Sequence, residues 1–101
     1  MDIDEIRSLL EQLFHMTQHA ELQRRRRGIS VADIKHGIAG GVIIEDYPDD
    51  YPFPSCLILG CTERQDPLHV VCGVGNGILY VITAYRPDPE KWEMDWKTRK
   101  D

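Results

Sequence analysis

A chain of 101 residues and 11.7 kDa holds one domain, and its 42% hydrophobic and 29% charged residues are those of an ordinary globular protein rather than a disordered one. The formal net charge of −5 argues against broad, non-specific nucleic-acid binding, which depends on many Lys and Arg contacts to phosphate. Apolar runs such as Val70–Val74 and Ile78–Tyr85 are far short of the ~20 residues that cross a bilayer, and Asp2, Asp4, Glu5 and Glu11 stand where a secretory signal needs a basic start, so a cytoplasmic protein without membrane contact is expected.

Ile3, Ile6, Leu10, Leu13, Thr17 and Ala20 recur at three- and four-residue spacing, which predicts one amphipathic helix over residues 3–25, capped by Asp2 or Asp4. Ser30-Val31-Ala32-Asp33 resembles a capping box with Asp in place of Glu, and Gly40-Gly41 supplies a stop, so a second helix is expected over residues 31–39. The period then changes. Val42 to Glu45 is β-branched, Tyr47 to Pro54 is a proline-punctuated loop, and Ser55 to Gly60, Leu68 to Val74 and Ile78 to Arg86 read as strands, the last two joined by Gly75-Asn76-Gly77. Short links between strands favour antiparallel pairing, with the helices covering one face. The expectation is a single α+β domain over residues 1–101: two N-terminal helices followed by a four-stranded antiparallel sheet. Beyond Pro87, Trp92 and Trp96 stand four apart, as on a helical turn, and are expected to pack on the outer edge of the domain. Cys56, Cys61 and Cys72 are odd in number and lie in or beside apolar strands, so they read as reduced thiols.

The charge is unevenly placed. Residues 1–41 carry six acids and six bases, with Arg24 to Arg27 consecutive and followed by Gly28 and the start of the second helix. A guanidinium cluster and the imidazole of His19 beside a helix N-terminus suit phosphate chemistry, although a basic run at a helix end also serves as a solvated face. His15 and His19 have the spacing of a helical metal pair, but zinc wants three or four ligands and the cysteines lack finger spacing, so no metal site and no cofactor are expected.

His69 alternates with Leu68 and Val70 and falls on the face opposite to them. In the next strand, Leu79, Val81, Thr83 and Tyr85 are expected on one face, so Thr83 and Tyr85 project together and can meet His69. RNA cleavage by a ribose 2′-hydroxyl needs a base, an acid and positive charge around the phosphorane-like transition state; histidine suits the first two roles and arginine the third. No serine-hydrolase elbow, P-loop or dinucleotide fingerprint is present.

His19, Arg27-Gly28-Ile29-Ser30, Asp33-Ile34, Pro67-Leu68-His69-Val70-Val71 and Val81-Ile82-Thr83-Ala84-Tyr85-Arg86-Pro87-Asp88 together resemble the bacterial family called domain of unknown function 4258, over roughly residues 15–96. The resemblance implies kinship in fold with the barnase, EndoU, colicin and RelE-like ribonucleases. It also implies a toxin of a toxin–antitoxin pair: a metal-independent ribonuclease with RNA as substrate and a cognate antitoxin as partner. Carried over by position, His19 is the acid or base, Arg27 the phosphate ligand, His69 a second acid–base or positioning group and Thr83 a hydroxyl near the scissile phosphate, with Arg24 and Tyr85 as substrate-binding additions. The chain departs from many relatives at Gln23, where they carry arginine; Arg24 lies one residue on and about 100° round the helix. The alternative is a non-catalytic module that holds a protein partner through Trp92, Trp96 and the acidic loop from Tyr47 to Phe53.

Overall fold

Asp2 opens the first helix, α1 (Ile3–Gln12), by accepting from the amide of Asp4 at 2.9 Å, which satisfies a donor that every helix start leaves free. In the computed structural model, which describes residues 1–101, this helix stops at Gln12 instead of continuing to residue 25. The chain runs extended through β1 (Phe14–Met16) and then enters α2 (Gln18–Arg27) under Thr17, whose hydroxyl accepts from Ala20 N at 3.1 Å. The single helix expected over residues 3–25 is therefore two helices with a strand between them. The reason lies at a sheet edge, because the outer backbone of β5 (Ile78–Tyr85) needs partners. Leu79 N donates to Leu13 O at 2.9 Å and Thr17 N to Val81 O at 3.1 Å, so these residues gain more by pairing than by continuing the helix.

Helix α3 (Val31–Gly40) is the expected second helix within one residue. Its capping box is complete: Asp33 N donates to Ser30 Oγ at 2.9 Å and Ser30 N to Asp33 Oδ2 at 3.1 Å. Strands β2 (Val42–Tyr47), β3 (Ser55–Cys61), β4 (Pro67–Gly75) and β5 follow, and β1 adds a fifth, in the order β1-β5-β4-β3-β2. β1 is parallel to β5 and the other pairs are antiparallel. In place of the expected two helices and four antiparallel strands, the single α+β domain has three helices and a five-stranded mixed sheet.

Ile6 and Leu10 of α1 and Ile34 and Ile38 of α3 meet Ile58, Val70 and Val81 on one face of the sheet. Each such side chain contributes about 1.5–3 kcal/mol when fully buried. Glycine lets α3 come close: a Cβ at Gly60 would stand 2.1 Å from the Gly37 carbonyl oxygen, so any side chain there pushes α3 off β3.

A bulge decides which residues of β5 face which way. Val71 pairs with Thr83 but Cys72 pairs with Val81, leaving Ile82 as an extra residue across which the alternation inverts. Leu79, Val81 and Ala84 enter the helical core, whereas Tyr80, Thr83 and Tyr85 belong to the opposite face. The expected grouping of Leu79 and Val81 with Thr83 and Tyr85 is thus corrected.

The tail from Pro87 lies against that second face. No helical turn joins Trp92 to Trp96: Trp92 bridges to Arg99, Trp96 has a φ of 61°, and Asp95 accepts from the amides of Lys97 and Thr98, both at 3.0 Å. Trp92 is buried on His69, their rings perpendicular and 4.5 Å apart between centroids. Cys56 and Cys72 are buried free thiols with sulfurs 3.9 Å apart, and Cys61 is a half-buried one. No helix is long and apolar enough to cross a membrane.

Candidate functional site

The four arginines of α2 part company at the end of the helix. Gly28 closes it with φ 67°, a left-handed conformation that favours glycine, and Ile29 N donates back to Arg24 O at 2.9 Å. Arg86 donates to Arg27 O at 2.8 Å, adding a cation where the helix dipole is negative. Ala20, Gln23, Arg24 and Arg27 recur at three and four and form the stripe facing the sheet. Arg24 is held by Glu21 and donates to Ile29 O at 3.4 Å, and Arg25 donates to Glu21 at 2.8 Å. Those two bonds, Arg24's the stronger, hold the Glu21 carboxyl below its usual range. Arg24, expected to bind substrate, thus spends donors at Nε, Nη1 and Nη2 within the fold.

Arg27 is different. Its Nη1 donates to Ala84 O at 2.8 Å and to Thr83 Oγ1 at 3.3 Å, while its Nε and Nη2 donors bond nothing in the chain and the residue is exposed. Beside it on the same face stand Tyr85, half-buried, and His69, which pairs with Tyr85 across the strands and is fully buried.

The protonation of His69 follows from its partners. Nε2 lies 2.6 Å from the carbonyl oxygen of Trp96, which only accepts, so Nε2 carries the hydrogen; Nδ1, 3.3 Å from the Tyr85 hydroxyl, accepts from it. Burial disfavours the charged ring and lowers its pKa below 6.5, more than the Trp96 carbonyl and the Glu45 charge raise it. Burial likewise raises the Tyr85 pKa, against the opposing charges of Arg99 and Arg27. Glu45 fixes the tail from the other side, accepting from Arg99 Nε at 2.8 Å and Nη2 at 2.9 Å, with the guanidinium stacked 4.6 Å from the Trp92 ring centroid. The Arg99 pair holds the Glu45 carboxyl below its usual range, and burial of Tyr47, which also donates to Glu45, pushes that phenol up to about 12.

Three of the four residues expected at the centre thus form a line: Arg27 touches Thr83, Thr83 neighbours Tyr85 on one face, and Tyr85 bonds His69. His19 is not in it. It is exposed on the first turn of α2, eight residues or about 12 Å along the axis from Arg27. The α3 N-terminus does not serve phosphate either. Asp33 fills it, accepting from Ser30 N and from Glu63 N at 3.0 Å, and those bonds, the one from Glu63 first, keep its pKa low. Asp33, Glu63 and Asp66 line the same hollow with Arg64 and Arg86, so acids outnumber bases around it.

His15 lies on β1 and His19 on α2, so the pair lacks the common helix that their spacing suggests. No group of three His, Cys, Asp or Glu side chains stands ready for a metal ion. Glu45 and Arg99 were not foreseen, because nothing local in the sequence marks residues 54 apart as an ion pair. No curated protein and no solved structure matches the chain. The family model described as Domain of unknown function (DUF4258) matches residues 16–86, and the chain belongs to that family.

Proposed function

We propose that the chain is a ribonuclease-like toxin domain that binds a phosphate of RNA with Arg27 and Thr83 and cleaves the strand there without a metal. The observation that supports this reading is the Arg27–Thr83 contact. A guanidinium is steered by two bonds from Nη1 while its Nε and Nη2 donors stay free for bidentate contact with phosphate oxygens. Tyr85, kept protonated by burial, is the acid: its hydroxyl turns from His69 Nδ1 to protonate the departing 5′-oxygen, and the positive charges of Arg27 and Arg99 favour the phenolate it leaves. His19, exposed on α2 outside the Arg27–Thr83–Tyr85 line, is the candidate base for the 2′-hydroxyl proton, and it serves where the bound strand brings that hydroxyl to its ring. His69 becomes a positioning residue, since it is wholly buried. The reading implies a cytoplasmic protein whose partner is an antitoxin that masks Arg27.

Purified protein incubated with a broad RNA panel in EDTA is expected to leave 2′,3′-cyclic phosphate ends. Arg27→Ala should lower the rate about 100-fold, the scale of losing one preorganised transition-state donor. An intact RNA panel with folded wild-type protein overturns the reading. The non-catalytic alternative loses one of its two aromatic anchors, because Trp92 is 4% exposed and serves the fold.

A further inference from the structure

Next to Thr83, on the face of the sheet opposite α1 and α3, lies a pocket of about 410 Å³, within the roughly 300–1,000 Å³ typical of small-molecule sites. Ile82, the residue before Thr83, is part of its wall, and Thr17 at the start of α2 is another part. Phe53 and Tyr80 supply the apolar surface, their rings nearly parallel at 16° with centroids 5.5 Å apart, and His15 meets Tyr80 edge-on at 5.4 Å. Phe53 lies flat over the hairpin because Gly75 has no side chain: a Cβ there would fall 2.2 Å from the ring. Tyr51 lines the mouth and is 96% exposed.

The polar groups narrow the class of occupant. Neither lysine nor arginine lines the pocket, so it offers phosphate no permanent charge; the nearby cation with free donors is Arg27. Asp50 accepts from Ser55 through Oδ2 and has a second oxygen with no partner in the chain, and the Gln18 amide bonds nothing. Aromatic faces with a carboxylate and an amide at the rim match a flat heterocycle that carries N–H donors along one edge. Guanine fits best. Its N1–H and N2–H₂ form two adjacent donors for a carboxylate, with O6 beside them to accept from Gln18.

We infer that this pocket is a nucleobase subsite selective for guanine, seating the base next to the phosphate held by Arg27 and Thr83. The inference rests on the RNA reading for the source of the base, and it adds what that reading lacks, a preference for where the strand is cut. Tyr51 and Phe53 stack on the base, and Asp50 and Gln18 read its edge.

The test titrates the ¹⁵N-labelled full chain with 5′-GMP, 5′-AMP, 5′-CMP, 5′-UMP and ribose 5-phosphate. GMP is expected to shift the amides of Asp50, Tyr51, Phe53 and Tyr80 and to bind about tenfold or more tighter than the others, the scale of a good bidentate base contact. Asp50→Asn keeps an acceptor for Ser55 and turns the second oxygen into a donor, so it should abolish the preference for GMP. Gln18→Ala, at an exposed position, should weaken GMP several-fold. Ribose 5-phosphate binding as tightly as GMP, or a preference unchanged in Asp50→Asn, overturns the subsite. RNA cleavage separates the two ideas. Cutting by a protein whose pocket ignores GMP removes the subsite and leaves the ribonuclease; GMP binding by a protein that leaves RNA intact does the reverse.

Discussion

Two neighbouring positions near one end of a strand pair make a sharp contrast. At Arg27–Thr83, a charged group is fixed at one nitrogen and open to solvent at the others. At His69, which pairs with Tyr85 two residues further along β5, both ring nitrogens are bonded, Trp92 covers the ring, and a Glu45–Arg99 pair holds the tail in place. The same β4–β5 ladder thus serves as scaffold at one position and as a surface two residues away. A histidine that a motif marks as chemical can be spent on holding a chain segment, and exposure tells the two uses apart.

Truncation measures that contrast most strongly. Trp92→Ala should cost about 3–5 kcal/mol of unfolding free energy, since it empties a buried aromatic site, and His69→Ala about 3 kcal/mol, since it also orphans the Trp96 carbonyl. Arg27→Ala, at an exposed site, should cost about 1 kcal/mol or less while removing about 100-fold of any RNA cleavage. Urea denaturation of the three variants checks this. Equal losses at both positions would break the comparison, because Arg27 would then be as structural as His69.

Mild acid should act on His69 and leave the Arg27 guanidinium charged. The folded His69 pKa is depressed, so the unfolded chain takes up the proton first as pH falls through about 6.5. The stabilising contribution of a neutral His69 is complete above that pH and is lost on the acid side, down to the folded pKa. The urea midpoint should therefore decline between pH 7 and 5 more steeply in the wild type than in His69→Gln, which has no such proton to take up. Parallel profiles would show that the ring titrates freely.

Part of this arrangement is legible in the sequence and part is not, for reasons that differ by residue. The bounds of α3 are written in Ser30, Asp33 and Gly40-Gly41, because capping is local chemistry. β2 to β5 are visible as β-branched runs. β1 is not, since three residues are too few for alternation to compete with the helical spacing around them, and what stabilises them is the edge of β5, 66 residues away at the Leu13–Leu79 contact. The Ile82 bulge is equally hidden, and it reverses the facing of Thr83 and Tyr85. The site suffered the same way. Arg27 and Thr83 were foreseeable as a pair through the family pattern, but the burial of His69 depends on a tail outside the matched residues 16–86.

That last point sets up the smallest and most discriminating effect. Arg99 and Glu45 are 61% and 23% exposed at the side chain, so their pair is screened, and Arg99→Ala should lower global stability by about 1 kcal/mol or less. Yet Arg99 also lies on Trp92, and the tail has few other ties: Glu93 N to Thr98 O at 2.8 Å, Lys100 N to Lys91 O at 2.9 Å, and the Trp96 carbonyl on His69. If the tail is a separate layer, hydrogen exchange in Arg99→Ala should quicken at the amides of Glu93 and Lys100 and leave those of β4 unchanged. The His69 ring should then titrate closer to its ordinary value, because water reaches it. If instead the β4 amides quicken in step, the tail and the sheet open together, and the His69 and Arg27–Thr83 positions belong to one cooperative unit.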